Sequence, residues 1–169
     1  GAVDHAADLA VERDVVEVEL RGRELLRILL GLVAKREDVL KLTLQDYLEW
    51  VDPLRDAFIW ASSFLADRHI FDVRFLPYPK QLVPLAAIRV AMGHNADLIG
   101  PKEKLVRWFW CGILGELYGG AIETRFVRDL EQVPAWARGD ANATTPNTLN
   151  DATFVESRLH SLRTRQAAA

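Results

Sequence analysis

The stretch that most constrains this fold is residues 102–128, KEKLVRWFWCGILGELYGGAIETRFVR. Its apolar residues cover nearly the whole circumference of a helix, which is typical of a helix enclosed by neighbours. They are Leu105, Val106, Trp108, Phe109, Trp110, Ile113, Leu114, Leu117 and Tyr118. Gly119-Gly120 can end this helix in the left-handed region, and a second helix follows. We therefore predict an all-α fold, a compact multi-helix bundle around a central buried helix at about Pro101–Tyr118.

Length and composition fit one globular domain. The chain has 169 residues, of which 50% are hydrophobic and 27% charged, with a net charge of -3. This balance gives no overall reason to approach a polyanion, so a nucleic-acid contact would need a local basic patch. The single cysteine, Cys111, excludes an intrachain disulfide and a cysteine-rich zinc site. We expect a buried, inert thiol in a reducing cytosol.

The apolar patterning predicts a cytoplasmic chain without a membrane segment. Residues 3–15 are broken by acidic side chains and lack the cationic start of a secretory signal. The longest apolar run, Leu105–Tyr118, is shorter than the ~20 residues that span a bilayer and contains Arg107 and Glu116.

We predict that the chain consists of a helical lead-in, residues 1–38, and a helical domain, residues 39–169. The leucine-rich stretch Arg23–Lys35 predicts a mostly buried helix. Before it, residues 16–20 alternate apolar and acidic, a brief strand-like period that fits a helix or an extended lead-in equally well.

Capping and proline signals set the next boundaries. Thr43 and Asp46 resemble a capping box that starts a helix. Asp52-Pro53 predicts a break and a new helix, which ends near 67–69. Residues 71–78 should form an ordered, buried connection, because prolines at 77 and 79 hold the backbone extended.

Later signals follow the same logic. Pro84 fits the first turn of a helix that Gly93 ends, and Gly100-Pro101 starts the central helix. Val133-Pro134 should stop the second helix, after which Trp136 anchors a short turn.

The last part of the chain should combine a loop and a helix. Residues 139–150 read as a polar loop, and Asn150 or Asp151 as the cap of a last helix containing Phe154, Val155, Leu159 and Leu162. Because no terminator follows that helix, we expect a segment of a longer protein.

Catalytic and metal-binding motifs are missing from the sequence. The histidines at 5, 69, 94 and 160 form no HExxH or HxH pair, and no phosphate-binding loop, dinucleotide fingerprint or nucleophile elbow occurs. We predict no catalytic residue, no metal and no cofactor in this chain.

Two polar constellations remain. Arg125 and Asp129, four residues apart, can pair on one helix face beside Glu123, Thr124 and Arg128. They predict either an ion pair that ties helices together or a polar site where an anion meets the amides after Gly119-Gly120. A dispersed set of basic residues could touch phosphates if folded onto one surface, although exposed charge is the default. The set is Lys102, Lys104 and Arg107 at one end and Arg158, Arg163 and Arg165 at the other. The candidate binding residues are Arg107, Tyr118, Glu123, Arg125, Arg128, Asp129, Arg163 and Arg165.

Four strings carry a family resemblance: VLKLTLQDYLEWVDPL, LPYPKQLVPLAAI, KLVRWFWCGILGELYGGAIETRFVRDL and FVESRLHSLRTRQAAA. They resemble the helical middle of a large prokaryotic family that has a ParB-like nuclease-fold domain at its amino end. The family is described as a domain of unknown function and includes GmrSD-type modification-dependent restriction proteins. The resemblance covers 39–169, and WFWCGILGELYGGAIETRF is its most specific part.

The resemblance implies membership of a restriction, phage-defence system. In that family a DGQQR-type motif hydrolyses nucleotide and a separate histidine-containing domain cuts DNA, and this chain has neither motif. We therefore expect a non-catalytic scaffold that links those two flanking domains.

Two alternative functions stay open beside the scaffold. The first is a DNA-contacting module of the same system, acting through Arg107, Arg125, Arg128, Arg163 and Arg165. The second is an unrecognised enzyme that uses Glu123, Arg125 and Asp129. Each of the three hypotheses is also compatible with homo-oligomers of the chain.

Overall fold

The computed structural model describes residues 43–120, 122–154 and 156. The predictions for 1–42, for Val155, Leu159 and Leu162 of the last helix, and for Arg163 and Arg165 lie outside the described residues. Phe154 was predicted to lie in that helix, but residues 152–154 are not helical and Phe154 is exposed. The helices are α1 (Leu44–Ala66), α2 (Leu82–Met92), α3 (Ile99–Leu114), α4 (Glu123–Arg138) and α5 (Asn147–Asp151). Short 3₁₀ turns cover Val73–Phe75, Pro79–Gln81 and Gly93–Asp97. No strand occurs among the described residues, so the predicted all-α class is confirmed.

The core lies where α2 packs between α1 and α4 and where α3 packs on α4 and α5. α2 is the most uniformly enclosed helix, because seven of its eleven residues are buried. Small side chains at Ala86 and Ala87 let its neighbours approach closely, while Leu85 and Ile88 fill the space between them.

α3 was predicted to be the central buried helix, but it is less enclosed than α2, because five of its sixteen residues are buried. It buries Leu105, Trp108, Phe109 and Ile113, whereas Trp110 on its outer side is half-buried. Cys111 is also half-buried rather than enclosed, and burial raises the pKa of its thiol, which keeps the group protonated and unreactive at neutral pH.

α1 begins as predicted but is not broken at Pro53. Thr43 accepts a hydrogen bond from the Asp46 amide, and the Asp46 carboxylate accepts one from the Thr43 amide, which completes the capping box. The predicted break was wrong, because α1 continues through Pro53 to Ala66. Pro53 and Glu49 are both exposed, so water can hydrate the carbonyl that loses its donor.

Two helix ends use residues other than glycine in the left-handed region. His69 (φ 61°) follows α1 and Glu116 (φ 54°) follows α3. At each end an amide bonds five residues back, from Ile70 to Leu65 and from Leu117 to Gly112, in the Schellman pattern. α3 therefore ends at Leu114, four residues before the predicted Tyr118, and Gly119-Gly120 is not its terminator.

α4 continues past the predicted stop. Pro134 lies inside the helix, Trp136 is helical, and the end comes at Arg138 with Gly139 at φ 83°. Pro134 is buried between Val133 and Ala137, so packing of its ring in the core offsets the hydrogen bond that proline cannot donate.

The two predicted connections also differ from expectation. In 71–78, Leu76 and Tyr78 are buried, but Phe71, Val73 and Phe75 are exposed. The predicted polar loop 139–150 contains the start of α5, whose last residue is Asp151, so Asp151 does not cap a helix that begins there. Pro146 and Thr148 are buried where α5 packs on α3 and α4.

Candidate functional site

A buried carboxylate lies at the centre of the polar residues that the sequence singles out. Asp129 is 1% exposed and lies on the face of α4 that also buries Phe126, Leu130 and Val133. A charged side chain at such a position needs hydrogen-bond partners, because burial without them costs several kcal/mol.

Three donors from three different segments meet this carboxylate. Trp108 Nε1 from α3 donates to Oδ1 at 3.0 Å, and Thr148 Oγ1 from α5 donates to the same oxygen at 2.6 Å. The Tyr118 hydroxyl, from the turn after α3, donates to Oδ2 at 2.5 Å. The carboxylate therefore joins α3, α4 and α5 at one point.

Arg125 extends this arrangement towards the surface. Its guanidinium donates to Thr148 Oγ1 at 3.2 Å and forms an ion pair with Asp151 Oδ2 at 3.1 Å. Because Arg125 supplies a proton to the Thr148 oxygen, the Thr148 hydroxyl is free to donate to Asp129. We refer to Trp108, Tyr118, Arg125, Asp129 and Thr148 as the Asp129 cluster.

Burial dominates the electrostatics of the cluster. Burial raises the pKa of Asp129 above its ordinary value, and hydrogen bonds from Thr148, Tyr118 and Trp108 with the Arg125 charge offset part of that rise. Burial and the neighbouring Asp129 carboxylate raise the pKa of Tyr118 well above its usual range, so its hydroxyl keeps its proton and remains a donor.

The cluster presents no open side to a ligand in this arrangement. Both Asp129 oxygens already accept hydrogen bonds, and Trp108, Tyr118 and Thr148 are at most 3% exposed. A general base must reach a substrate proton directly or through one water. The geometry therefore favours a structural junction over an acid–base site.

The structure brings together three of the predicted site residues, Tyr118, Arg125 and Asp129. Arg125 and Asp129, whose spacing allows a pair, do not form one, because Arg125 pairs with Asp151 and Asp129 accepts from uncharged donors. The remaining described candidates, Arg107, Glu123 and Arg128, are exposed and do not join the cluster.

Two basic residues of the dispersed set form structural contacts. Lys102 pairs with Asp67 at 2.8 Å, and Lys104 donates to the Trp136 carbonyl at 2.8 Å. These contacts tie α3 to the end of α1 and to α4, so both lysines are already engaged within the domain.

Sequence reasoning missed Thr148 and Gln81. Thr148 lies in a polar stretch that predicts a loop, and no local pattern distinguishes it from its neighbours. Gln81 is fully buried, donates to the Phe109 carbonyl at 3.0 Å and leaves its own carbonyl oxygen unpartnered. A polar residue directly before an apolar helix was the available signal for Gln81, and it is a weak one.

An apolar groove of about 380 Å³ lies between the second half of α1 and the connection to α2. It is lined by Phe58, Ala61, Ser62, Leu65, Ala66, Ile70, Phe71, Asp72, Val73 and Leu82.

Within the described part of the chain, no group of histidine, cysteine, aspartate or glutamate side chains is arranged to hold a metal ion. In the same part, every helix is too short or too polar to cross a bilayer.

A scan against models of protein families finds no match, and searches of curated proteins and of solved structures find no similar chain.

Proposed function

We propose that this chain is a non-catalytic helical scaffold of a GmrSD-like restriction system, which links a ParB-like nucleotide-hydrolysing domain to a nuclease domain. The proposed family rests on the resemblance of residues 39–169. The proposed scaffold role rests on that resemblance and on the Asp129 cluster. In this proposal the chain works in the cytoplasm and brings no cofactor of its own.

The observation that carries the scaffold role is the buried Asp129 carboxylate with its three hydrogen-bond donors. Its three donors come from α3, the turn after it and α5, so a displacement of any one segment breaks a buried hydrogen bond. Leaving a buried donor or acceptor unpaired costs about 1–3 kcal/mol, so the segments should move as one body. A rigid body of this kind suits the transmission of a change between attached domains.

The test is assembly with the proposed neighbours. We expect the 169-residue chain to co-elute with separately expressed ParB-like and nuclease domains of a GmrSD-type system on size exclusion. The chain alone should neither hydrolyse nucleoside triphosphate nor cut modified or plain DNA. Failure to bind either domain would overturn the scaffold proposal.

A second candidate is the DNA-contacting module. The observation in its favour is that Arg107 and Arg128 are exposed. A gel shift with modified and plain duplexes at low salt tests it, since phosphate contacts make affinity fall steeply with salt. Weaker binding after Arg107→Ala plus Arg128→Ala, with Lys80→Ala as the control for loss of one exposed charge, would support it. No binding at low salt would exclude it.

The enzyme alternative rests on Glu123, Arg125 and Asp129. This alternative requires that Arg125→Ala abolish an enzymatic activity while the fold stays intact. The activity of Glu123→Gln is measured for comparison, because Glu123 is the exposed residue among the three. The scaffold proposal expects no activity in either variant or in the parent chain. A turnover that disappears with Arg125 would favour the enzyme.

A further inference from the structure

α1 carries a second apolar face besides the one it buries in the core. Its exposed apolar residues are Leu44, Tyr47, Leu48, Phe58 and Ile59, with exposed fractions from 40% to 73%. The other exposed apolar residues lie three, four, fourteen and fifteen residues after Leu44, which at 3.6 residues per turn places them within about 60° of the Leu44 direction. Half-buried Val51 lies between them on the same side. We call this surface the α1 stripe.

Charged residues border the stripe without covering it. Glu49, Asp52 and Asp56 are exposed and lie on the side of α1 away from the stripe's centre. Arg55 falls within the stripe by position, but its guanidinium pairs with Asp52 at 2.8 Å and approaches Asp56 at 3.5 Å. The Arg55 head group is therefore drawn to the acidic border, and its aliphatic stem continues the apolar surface across the middle of the stripe.

The stripe runs into the apolar groove described above. Phe58 belongs to both, and exposed Phe71 and Val73 line the far side of the groove. A continuous apolar surface of this extent, bordered by charge, is typical of an interaction surface.

We propose that the stripe is covered by the chain's own leucine-rich stretch, Arg23–Lys35, packed antiparallel to α1 as the first arm of a helical hairpin. This proposal does not depend on the proposed restriction-system function. The 42 residues before Thr43 enter the described part directly at the amino end of α1, where the stripe begins. Arg23–Lys35 is therefore the apolar segment that lies nearest to the α1 stripe along the chain.

The sequence of Arg23–Lys35 fits the stripe in pattern. At 100° per residue its large apolar residues fall on one face, and Glu24, Arg27, Gly31 and Lys35 fall on the other. The apolar set is Leu25, Leu26, Ile28, Leu29, Leu30, Leu32 and Val33.

The lengths also agree. Thirteen helical residues are about 20 Å long, and the distance along α1 from Leu44 to Ile59 is about 22 Å at 1.5 Å per residue. Residues 36–42 leave a short connection, within the range of roughly 2–8 residues that joins antiparallel neighbours in helical bundles.

Charge favours the same pairing. Arg23–Lys35 has three basic residues, Arg23, Arg27 and Lys35, and a single acidic one, Glu24. The border of the stripe is acidic, with one arginine among several carboxylates. A tethered segment also binds at a high effective concentration, which favours it over the same segment of a second copy.

Limited proteolysis of the whole chain tests the docking. We expect trypsin to cleave after Arg27 at least tenfold more slowly in the native chain than in a synthetic peptide of residues 16–42. Leu48→Asp, which puts a charge on the stripe, should restore rapid cleavage, whereas Gln45→Asp on the polar side should not. Equal rates for the native chain and the peptide would overturn the proposal.

Cross-linking identifies the occupant. In a Cys111→Ser background, Leu32→Cys with Leu48→Cys should join within one chain through a short bis-maleimide, and Leu32→Cys with Glu49→Cys should react several-fold less. Mixing two tagged forms of the chain shows whether a link joins different copies. Links between copies, or equal yields for the two pairs, would contradict docking of the chain's own segment.

Discussion

The Asp129 side chain shows how one buried residue depends on its partners. An asparagine at position 129 can still accept hydrogen bonds from Trp108 and Thr148 through its carbonyl oxygen and donate one to the Tyr118 oxygen through its amide. Alanine leaves all three donors without an acceptor. We expect Asp129→Asn to lower the free energy of unfolding by about 1 kcal/mol and Asp129→Ala by about 3 kcal/mol or more, measured by urea denaturation. Equal losses would contradict the hydrogen-bond role of the carboxylate.

The raised pKa of Asp129 predicts how the Asn variant compares with the parent across pH. A carboxyl group whose folded pKa lies above its unfolded value stabilises the fold below the unfolded pKa, and this stability is lost as pH rises through the folded pKa. The cost of Asp129→Asn should therefore be largest below about pH 4 and smaller at pH 7. Urea denaturation of both proteins at several pH values measures the difference. A cost that grows with pH would mean that the donors and Arg125 outweigh burial.

His69 tests the unusual end of α1. Its φ of 61° strains a residue with a Cβ by roughly 1 kcal/mol, and glycine avoids this strain. We expect His69→Gly to be about 1 kcal/mol more stable than His69→Ala, and both variants lose the same ring contact with Phe71. At Asp67, where φ is -58°, the order of glycine and alanine should reverse. Thermal unfolding measures both pairs, and the same order at both positions would contradict the explanation.

At the scale of elements, α3 contains two glycines with opposite environments. A Cβ at Gly112 would lie 2.5 Å from Gln81 Nε2 and 2.5 Å from the Tyr118 ring, whereas a Cβ at Gly100 would meet nothing within 4 Å. We expect Gly112→Ala to destabilise the fold by about 1–3 kcal/mol through overpacking. At Gly100 the helix propensity gained with alanine is opposed by the Pro101 ring, which disfavours helical geometry in a preceding residue with a Cβ. Gly100→Ala should therefore change stability by less than about 1 kcal/mol. Denaturant midpoints compare them, and similar effects at both sites would count against the close packing of α3 on Gln81.

The elements also show where local patterns predict helices well and where they do not. The Thr43 capping box and the Gly93 terminator were predicted from adjacent residues, because those interactions are local. Pro53 and Pro134 were predicted to break helices that continue through them. A prediction from neighbouring residues includes the hydrogen bond that each proline cannot donate. It does not include the apolar contacts with residues far away in the sequence, which stabilise the helix on both sides of the proline.

At the scale of the whole molecule, Thr148 determines how firmly α5 is held. Thr148→Val removes the hydroxyl that donates to Asp129 and accepts from Arg125. A loss of about 1.4 kcal/mol in local stability should speed amide exchange in 145–154 roughly tenfold. Hydrogen-exchange mass spectrometry measures the rate, and exposed Thr145 provides the control as Thr145→Val. Equal acceleration in both variants would contradict a specific anchoring role.

The sequence alone determined the fold class and the burial of Leu105, Trp108 and Phe109, because large apolar side chains leave water when helices pack. It did not determine that α2 is the most enclosed helix, because that depends on which neighbours pack on it. It also indicated Tyr118, Arg125 and Asp129 as candidate site residues. Only the tertiary structure decided that Arg125 pairs with Asp151 and that Thr148 completes the Asp129 cluster. Those partners are about 20 residues or more apart along the chain, and their hydrogen bonds exist only after α3, α4 and α5 have packed together.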